Sequence, residues 1–386
     1  MHFEFTEEQQ IIRRTVREFA EKEIAPRARH TDETGEFPVE TFRKMGELGL
    51  MGLPFPEEYG GAGADSISTA IAIEEVARAC GSTALSYSAH LGLGCAPLAM
   101  FGAPEQKRRF LTPAAQGKYM AAFGLTEPHA GSDAGATRTT AILEGNEWVI
   151  NGSKMWITNA PVAGHIIATA VTDKEKGKKG ISALIIPRGT PGMVFGKPEA
   201  KMGLRGSVTT AISFENVRVP KENLLGERGR GFIQFLQVLD GGRIGIGAMA
   251  VGLAQVAFEA ATTYAREREA FGKPIGAFQS ISNLIADMEV GIAGARLLVY
   301  QAAWLKDQGR NYTQEAAIAK LYASEVAERV CRDAIQVFGG YGYSQEFPVE
   351  RLYRDVRLLT IGEGTSEILR QVIGHRILGH LDPAGH

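Results

Sequence analysis

Cysteine is nearly absent: the 386 residues hold three, Cys80, Cys95 and Cys331. They are too few and too scattered for a disulfide framework or a C-x-x-C metal site. No H-E-x-x-H pair supplies a zinc site either. Neither sign of charge dominates, with 42 Lys plus Arg against 44 Asp plus Glu and a formal net charge of −2. That balance removes the electrostatic case for nucleic acid or an anionic membrane as a partner. Long apolar runs are missing as well. The longest, from Ile244 to Phe258, has 15 residues and carries Gln255 and three glycines, short of the roughly 20 apolar residues that a span requires. The opening Met1-His2-Phe3-Glu4-Phe5-Thr6-Glu7-Glu8 is acidic where signal and transit peptides are basic. What remains is a chain of ordinary globular composition, 44% hydrophobic and 22% charged. Its length suits about two or three domains, and a reducing, cytoplasmic and bacterial setting is expected.

Hydrophobic spacing divides the chain into α, then β, then α. Ile11, Ile12, Val16 and Phe19 sit at helical spacing, in a helix that Pro26 is expected to end. Further helices are expected over 39–48, over 66–79 with Gly81 as the stop, and over 85–100. Near Pro113 the texture changes. Asn151-Gly152 lies between two β-prone runs and predicts a hairpin turn, and strands are expected over 165–172, 181–187 and 210–219. From Gly231 helical spacing returns, over about 231–269, 278–306 and 313–338. The last of these ends on Gly339-Gly340, and short helices follow near 349–357 and 366–378. The absence of βαβ alternation and of an internal repeat argues against a parallel-sheet nucleotide fold, and the expected class is α+β. The expected units are 1–120, helical; 121–230, β; and 231–386, helical.

Gly245-Ile246-Gly247-Ala248-Met249-Ala250 fits the dinucleotide fingerprint G-x-G-x-x-A, but it lies inside a helical run and not between a strand and a helix. Small residues there serve close helix packing. The run Phe123-Gly124-Leu125-Thr126-Glu127-Pro128-His129-Ala130-Gly131-Ser132-Asp133 makes a turn, either a plain connector or a ligand-facing loop. Trp156, in Met155-Trp156-Ile157-Thr158-Asn159, is either core or the wall of an aromatic cofactor site. Gln336-Val337-Phe338-Gly339-Gly340-Tyr341-Gly342-Tyr343 is a helix stop or a binding turn. Arg268 is a solvated helix-end cation or a phosphate partner. Glu363, between Gly362 and Gly364 and just before a helix capped by Thr365 or Ser366, is a helix-dipole acid or a general base that glycine neighbours leave free to approach a substrate.

Together these segments resemble the acyl-CoA dehydrogenase family over essentially the whole chain. Gly124 through Asp133, and Gln336 through Asp355 with Glu346 and Arg351, match the family's two signature stretches. The resemblance implies an N-terminal helical domain, a central β-barrel-like domain and a C-terminal four-helix bundle, with FAD held between the last two. It implies flavin contacts from Phe123, Gly124, Leu125, Thr126, Glu127, Gly131, Ser132, Trp156, Ile157 and Thr158. Arg268, Gln279, Gln336, Val337, Phe338, Gly339 and Gly340 resemble residues that reach FAD across a subunit interface, and Thr365, Ser366 and Glu367 resemble contacts near the chain's end. Ser132, Asp240, Gly241, Gly242, Arg243 and Gly364 match positions that hold acyl-CoA, and Glu363 matches the catalytic base. The alternative address of the base, one residue before the arginine matching Arg243, is here Gly242.

The implied activity is α,β-dehydrogenation of a short, medium or branched acyl-CoA to the trans-2-enoyl-CoA. Such a proton is weakly acidic, so the developing enolate needs preorganised donors; in the family these are a backbone N–H at the base and a flavin hydroxyl. An electron-transferring flavoprotein as acceptor and a homotetramer built as a dimer of dimers are further implications. The run Leu85-Ser86-Tyr87-Ser88-Ala89-His90 resembles the isovaleryl type and keeps branched substrates in play. Two rival readings share the fold. An acyl-CoA oxidase usually carries a further C-terminal domain, and this chain stops at His386. A flavin-bound DNA-binding relative needs a basic C-terminal region, and from Ile361 onward only Arg370 and Arg376 stand against Glu363, Glu367 and Asp382.

Overall fold

The structure, a computed structural model, describes residues 4–379; Met1 to Phe3 of the acidic opening, and Asp382 and His386 at the other end, lie outside them. The chain opens with helices α1 (Glu7–Phe19), α2 (Ala28–Thr34), α3 (Val39–Glu47), α4 (Ser66–Ala79), α5 (Gly81–Ala89), α6 (Ala96–Phe101), α7 (Pro104–Gln106) and α8 (Thr112–Ala115). Strands follow: β1 (Met120–Gly124), β2 (Thr140–Glu144), β3 (Glu147–Thr158), β4 (Ala163–Val171), β5 (Ile181–Pro187), β6 (Met193–Phe195), β7 (Thr209–Pro220) and β8 (Leu224–Leu225). The long helices α9 (Gly231–Glu267), α10 (Gln279–Asp307) and α11 (Thr313–Phe338) come next, and α12 (Val349–Val356) and α13 (Ser366–Leu378) complete the described chain. Strands β1 to β8 form one mixed sheet in the order β6-β7-β3-β2-β4-β5-β8, with β1 parallel to β4. The α+β class and the α–β–α order are as expected.

Local chemistry explains most boundaries. Thr6 and Gln9 form a reciprocal capping box at the start of α1, and the Asp65 side chain caps α4 through Ser68 N at 2.6 Å. Pro26 does not end the first helical path. The chain widens into a π turn at Ala20–Ile24 and tightens into a 3₁₀ turn at Ala25–Arg27, where Pro26 takes an early position that needs no N–H, and α2 continues. Gly81 starts α5 rather than stopping α4; the break is the extended Cys80 (φ −158°). The helix expected over 85–100 is interrupted by a π segment at His90–Cys95.

The hairpin turn also moves. β2 and β3 pair from Thr140↔Asn151 to Glu144↔Glu147, which leaves Gly145-Asn146 as the two-residue turn. Asn151-Gly152 lies inside β3, where the register against β7 shifts between Ile150 and Gly152. It is a bulge. Gly152 has φ 143°, and a Cβ there would meet Thr139 Oγ1 at 2.6 Å. Asn151 instead pairs across the sheet with Asn216 at 3.1 Å.

α9 is the axis of the helical core. By length and composition it could cross a membrane, but 72% of that stretch is buried within the protein. The G-x-G-x-x-A run is helical, and its glycines are contact points: a Cβ would meet Ser88 Oγ at 2.5 Å from Gly245 and Val299 at 2.8 Å from Gly247. α5 and α10 therefore lie against α9 closer than side chains would allow.

Asp355 on α12 joins the helical and sheet portions. Its Oδ1 accepts a 2.5 Å hydrogen bond from the backbone N–H of Leu204, in the segment between β6 and β7. Its neighbour Arg354 forks onto Asp32 of α2 at 2.6 and 2.9 Å. Burial pushes Asp355 up to about 7, against the lowering hydrogen bond from Leu204. α12 is thus fixed from two sides, one short turn before Glu363.

The bulge gives a direct check on this register. Gly152→Ala adds both strain and a collision, and should lower unfolding free energy by about 1–3 kcal/mol. Gly145 has φ 61° and open space around it, so Gly145→Asn should change stability by roughly 0.5 kcal/mol or less. Urea unfolding of the two variants measures the difference; the opposite ranking would return the turn to Asn151-Gly152.

Candidate active site

Glu363 sits on the short connection between α12 and α13. It has φ 54°, rare for a residue with a side chain, and Gly364 follows at φ 99°. Thr365 then caps α13, its hydroxyl accepting from Ile368 N at 3.3 Å. The residue is half-buried as a whole, but its Oε2 is closed off from solvent and has no hydrogen-bond partner. That oxygen lies against the Cα of Gly242 on α9, where an added Cβ would run into it. Leu93 stands on the same spot, with Cδ2 3.1 Å from that Cβ position.

Burial pushes Glu363 up to about 7, and the charges of Lys320 and Arg243 pull it partly back. Arg243 is buried and spends its Nη1 on Asp240 Oδ1 at 2.7 Å, while its Nε has no partner. Asp240 takes a second bond from Thr313 Oγ1 at 2.6 Å; burial raises it from the usual carboxylate range, and Thr313 and Arg243 oppose that rise. Lys320, fully buried on α11, donates to the carbonyl of Gly364 at 2.7 Å. Of the expected acyl-CoA positions, Asp240, Gly242, Arg243 and Gly364 therefore gather around Glu363. Gly241 faces away toward Lys306 Nζ and Tyr312 Oη. Ser132 is exposed on the loop after β1 and is not hydrogen-bonded to any of these residues.

A second group lies where β1 and β3 end. The loop after β1 closes through mutual backbone bonds between Glu127 and Ala130 at 3.0 and 3.1 Å, and Met155 N bonds back to Thr126 O at 2.8 Å. Leu125 and Thr126 are half-buried, Gly131 and Ser132 exposed. Phe123 stacks on Phe235 of α9, centroids 4.0 Å apart, while Gly124 packs on Ala168 and Lys154. Glu127 is turned inward. Its carboxylate accepts from Lys154 Nζ at 2.8 Å and from the backbone N–H groups of Arg138 and Thr139 at 2.8 and 3.1 Å. The side chain anchors the loop, because a carboxylate this buried needs those donors. Burial lifts Glu127, but Lys154 and the backbone donors outweigh it and leave it below its ordinary value. Trp156 has φ 61° and is 56% exposed, at the second register shift of β3. The bulge turns the indole outward, with Ile157 buried and Thr158 half-buried beside it. Trp156 is not core.

A third group forms a cleft of about 610 Å³ at the far ends of α9 and α11, lined by Arg268, Val337, Phe338, Gly339 and Gly340 among others. Tyr264 stacks on Phe338 at 4.1 Å, and Arg268 lies over Tyr341. Gln279 and Gln336 are exposed outside that lining. Ser366, at the N-terminus of α13, has a buried hydroxyl with no partner, and Glu367 beside it is exposed. An unpaired buried hydroxyl at a helix start, an outward indole and an arginine-bearing cleft suit a large aromatic, phosphate-bearing group.

Two positions escaped the motif reading. Lys320 is the only charge in Ala316-Ala317-Ile318-Ala319-Lys320-Leu321, and a single cation in an apolar helix face was the available signal. Lys154 sat in plain view two residues before Trp156, but only the fold turns it inward.

Family models for the N-terminal, middle and C-terminal domains of acyl-CoA dehydrogenases match residues 6–118, 122–217 and 229–378. The chain is 59% identical to the probable acyl-CoA dehydrogenase YngJ of Bacillus subtilis, over 98% of this chain and all of that one. It is 50% identical, with the same coverage, to the short-chain-specific acyl-CoA dehydrogenase of Clostridium acetobutylicum. Among solved structures, butyryl-CoA dehydrogenase from Megasphaera elsdenii superposes with a TM-score of 0.96 at 44% identity, over 98% of this chain and all of that one. An acyl-CoA dehydrogenase complexed with FAD from Bacillus anthracis gives 0.92 at 36% identity, over 97% of this chain and 67% of that one. The chain belongs to the acyl-CoA dehydrogenase family.

Proposed function

We propose that this enzyme is an FAD-dependent dehydrogenase of short, medium or branched acyl-CoA thioesters, with Glu363 as the general base. The observation that carries the reading is the state of Glu363: a buried carboxylate, Oε2 unpartnered, held against a glycine. When bound, FAD supplies the acceptor at N5 for the hydride leaving the β-carbon. Glu363 Oε2 receives the α-proton, and the product is the trans-2-enoyl-CoA. Burial makes this carboxylate a stronger base than one in water. Gly242 keeps room for it, and the Asp240–Arg243 pair, tied to Thr313, fixes the facing turn of α9. The inward Glu127–Lys154 pair holds the loop 123–133 in shape, so its free backbone groups can present a fixed face to the cofactor. Ser132 is assigned to the substrate, and Thr365, Ser366 and Glu367 to the cofactor.

Glu363→Gln keeps shape and hydrogen bonding but removes basicity. Turnover of saturated acyl-CoA should fall at least about 10²–10⁴-fold, with FAD and acyl-CoA still bound. Glu363→Asp should fall between, its shorter arm misplacing the oxygen. Steady-state assays across straight and branched acyl-CoA thioesters read both effects; wild-type turnover by the Gln variant would remove Glu363 from the mechanism.

The proposed acceptor of the electrons is an electron-transferring flavoprotein, because the sequence carries no iron–sulfur or nicotinamide motif. Rapid turnover with oxygen alone or NAD alone would contradict it. The proposed setting is the cytoplasm, in keeping with three free, buried cysteines, and the proposed units divide at 120/121 and 230/231.

The proposed assembly is a homotetramer in which Arg268, Gln279 and the 336–340 turn face a neighbouring subunit's cofactor. Val290, Leu297 and Trp304, seven residues apart on α10, are exposed by 71%, 55% and 45%, and Phe271 and Tyr343 by 96% and 90%. An apolar stripe of this kind marks a contact surface. Light scattering should give four times the 41.6 kDa chain, and Arg268→Ala should weaken both flavin retention and assembly. A monomer that retains FAD would contradict the tetramer.

A further inference from the structure

We propose that Lys320 is a positioning residue for the base, pinning the loop that carries Glu363 and holding a positive charge beside the carboxylate without bonding to it. The inference rests on the assignment of Glu363 made above. Lys320 is fully buried on α11, and a buried ammonium is retained only where acceptors or opposite charge surround it. Its hydrogen bond goes to the carbonyl of Gly364, 2.7 Å away. That carbonyl belongs to the second of two consecutive residues in the left-handed half of backbone space, Glu363 at φ 54° and Gly364 at φ 99°. Such a conformation persists when its surroundings over-determine it. Lys320 restrains it from the helix side, and the Thr365 cap restrains it from the other.

The placement also settles a conflict that any base of this kind faces. An ammonium bonded to the carboxylate would occupy the oxygen that must receive the proton. Bonded one residue further on, it leaves Oε2 without a partner while its field still favours the charged carboxylate. The charged groups that face this pair are few. Arg243, from α9, acts on Glu363 in the same sense but is bonded to Asp240. Lys320 itself feels Arg243, Glu325 of its own helix and Glu367 of α13. Burial pushes Lys320 down to about 8, against the raising pull of Glu363, so it is still largely charged at neutral pH.

The test uses the FAD-loaded enzyme and two variants. Lys320→Met keeps length and removes both charge and donor; Lys320→Gln keeps a neutral donor. Anaerobic bleaching of the flavin by a saturated acyl-CoA is followed across pH, with flavin absorbance and melting temperature recorded for each protein. Both variants should move the midpoint of the bleaching rate to higher pH by about one unit, roughly a tenfold loss near neutral pH that is regained on the alkaline side. The Met variant should also lose rate at its alkaline plateau, because the Gly364 carbonyl is left unpaired. A rate that falls with the midpoint unmoved in both variants would show a packing role only and overturn the proposal. An unchanged rate would overturn it too, as would failure of both variants to yield folded, flavin-loaded protein, which would make Lys320 a folding residue. Glu363→Gln, run alongside, separates the two claims. If it bleaches at the wild-type rate, the assignment of the base fails whatever Lys320 does; if it is silent and the Lys320 variants keep the wild-type midpoint, only the role of Lys320 fails.

Discussion

A carboxylate that is to take a proton from carbon must be dry enough to be basic and yet charged when the substrate arrives, and Glu363, the base proposed here, is held between those two demands. Removal from water favours its protonated form. Arg243 from one helix and Lys320 from another favour the charged form, and neither is bonded to it. The balance leaves the group near 7, up from 4.5, where both protonation states are accessible at working pH. A direct ion pair would have lowered it further and covered the oxygen; complete isolation would have kept it neutral.

The same constraint reaches into the packing. The carboxylate can lie against α9 because residue 242 has no side chain, and α9 can lie against α5 and α10 because Gly245 and Gly247 have none. One helix rich in small residues serves both ends. Its apolar length is accounted for by burial inside the protein, where neighbouring helices cover it. On the other side, Asp355 and Arg354 tie α12 to the 202–204 segment and to α2. The short turn leading to Glu363 is thus anchored on elements drawn from all three stretches of the chain.

Much of this was legible in the sequence. The helices expected near 66–79, 313–338 and 366–378 are α4, α11 and α13, and the glycines flanking Glu363 drew attention to that carboxylate. The misses share a cause: they are places where a residue's local preference yields to its neighbours. Asn151-Gly152 is a strong turn signal, but Thr139 and Asn216 make it a bulge. Gly81 and Pro26 are strong stop signals, but each is tolerated at the first turn of a new helical segment. Lys154 reads as an ordinary strand cation, and only its burial beneath the 123–133 loop pairs it with the Glu127 carboxylate. Lys320 could not be assigned from spacing alone, because its partner is a backbone carbonyl 44 residues away.

The most direct test is the pH dependence of the first half-reaction in the unmodified enzyme. Bleaching of bound flavin by a saturated acyl-CoA, followed anaerobically from acid to alkaline pH and extrapolated to low substrate, reports the base in the free enzyme. With Glu363 near 7, protonation on the acid side removes the base. The second-order rate should therefore fall about tenfold per pH unit below that point and level off above it. A rate that stays flat down to the ordinary carboxylate range would mean that the base is not a buried, raised carboxylate, and would contradict the account.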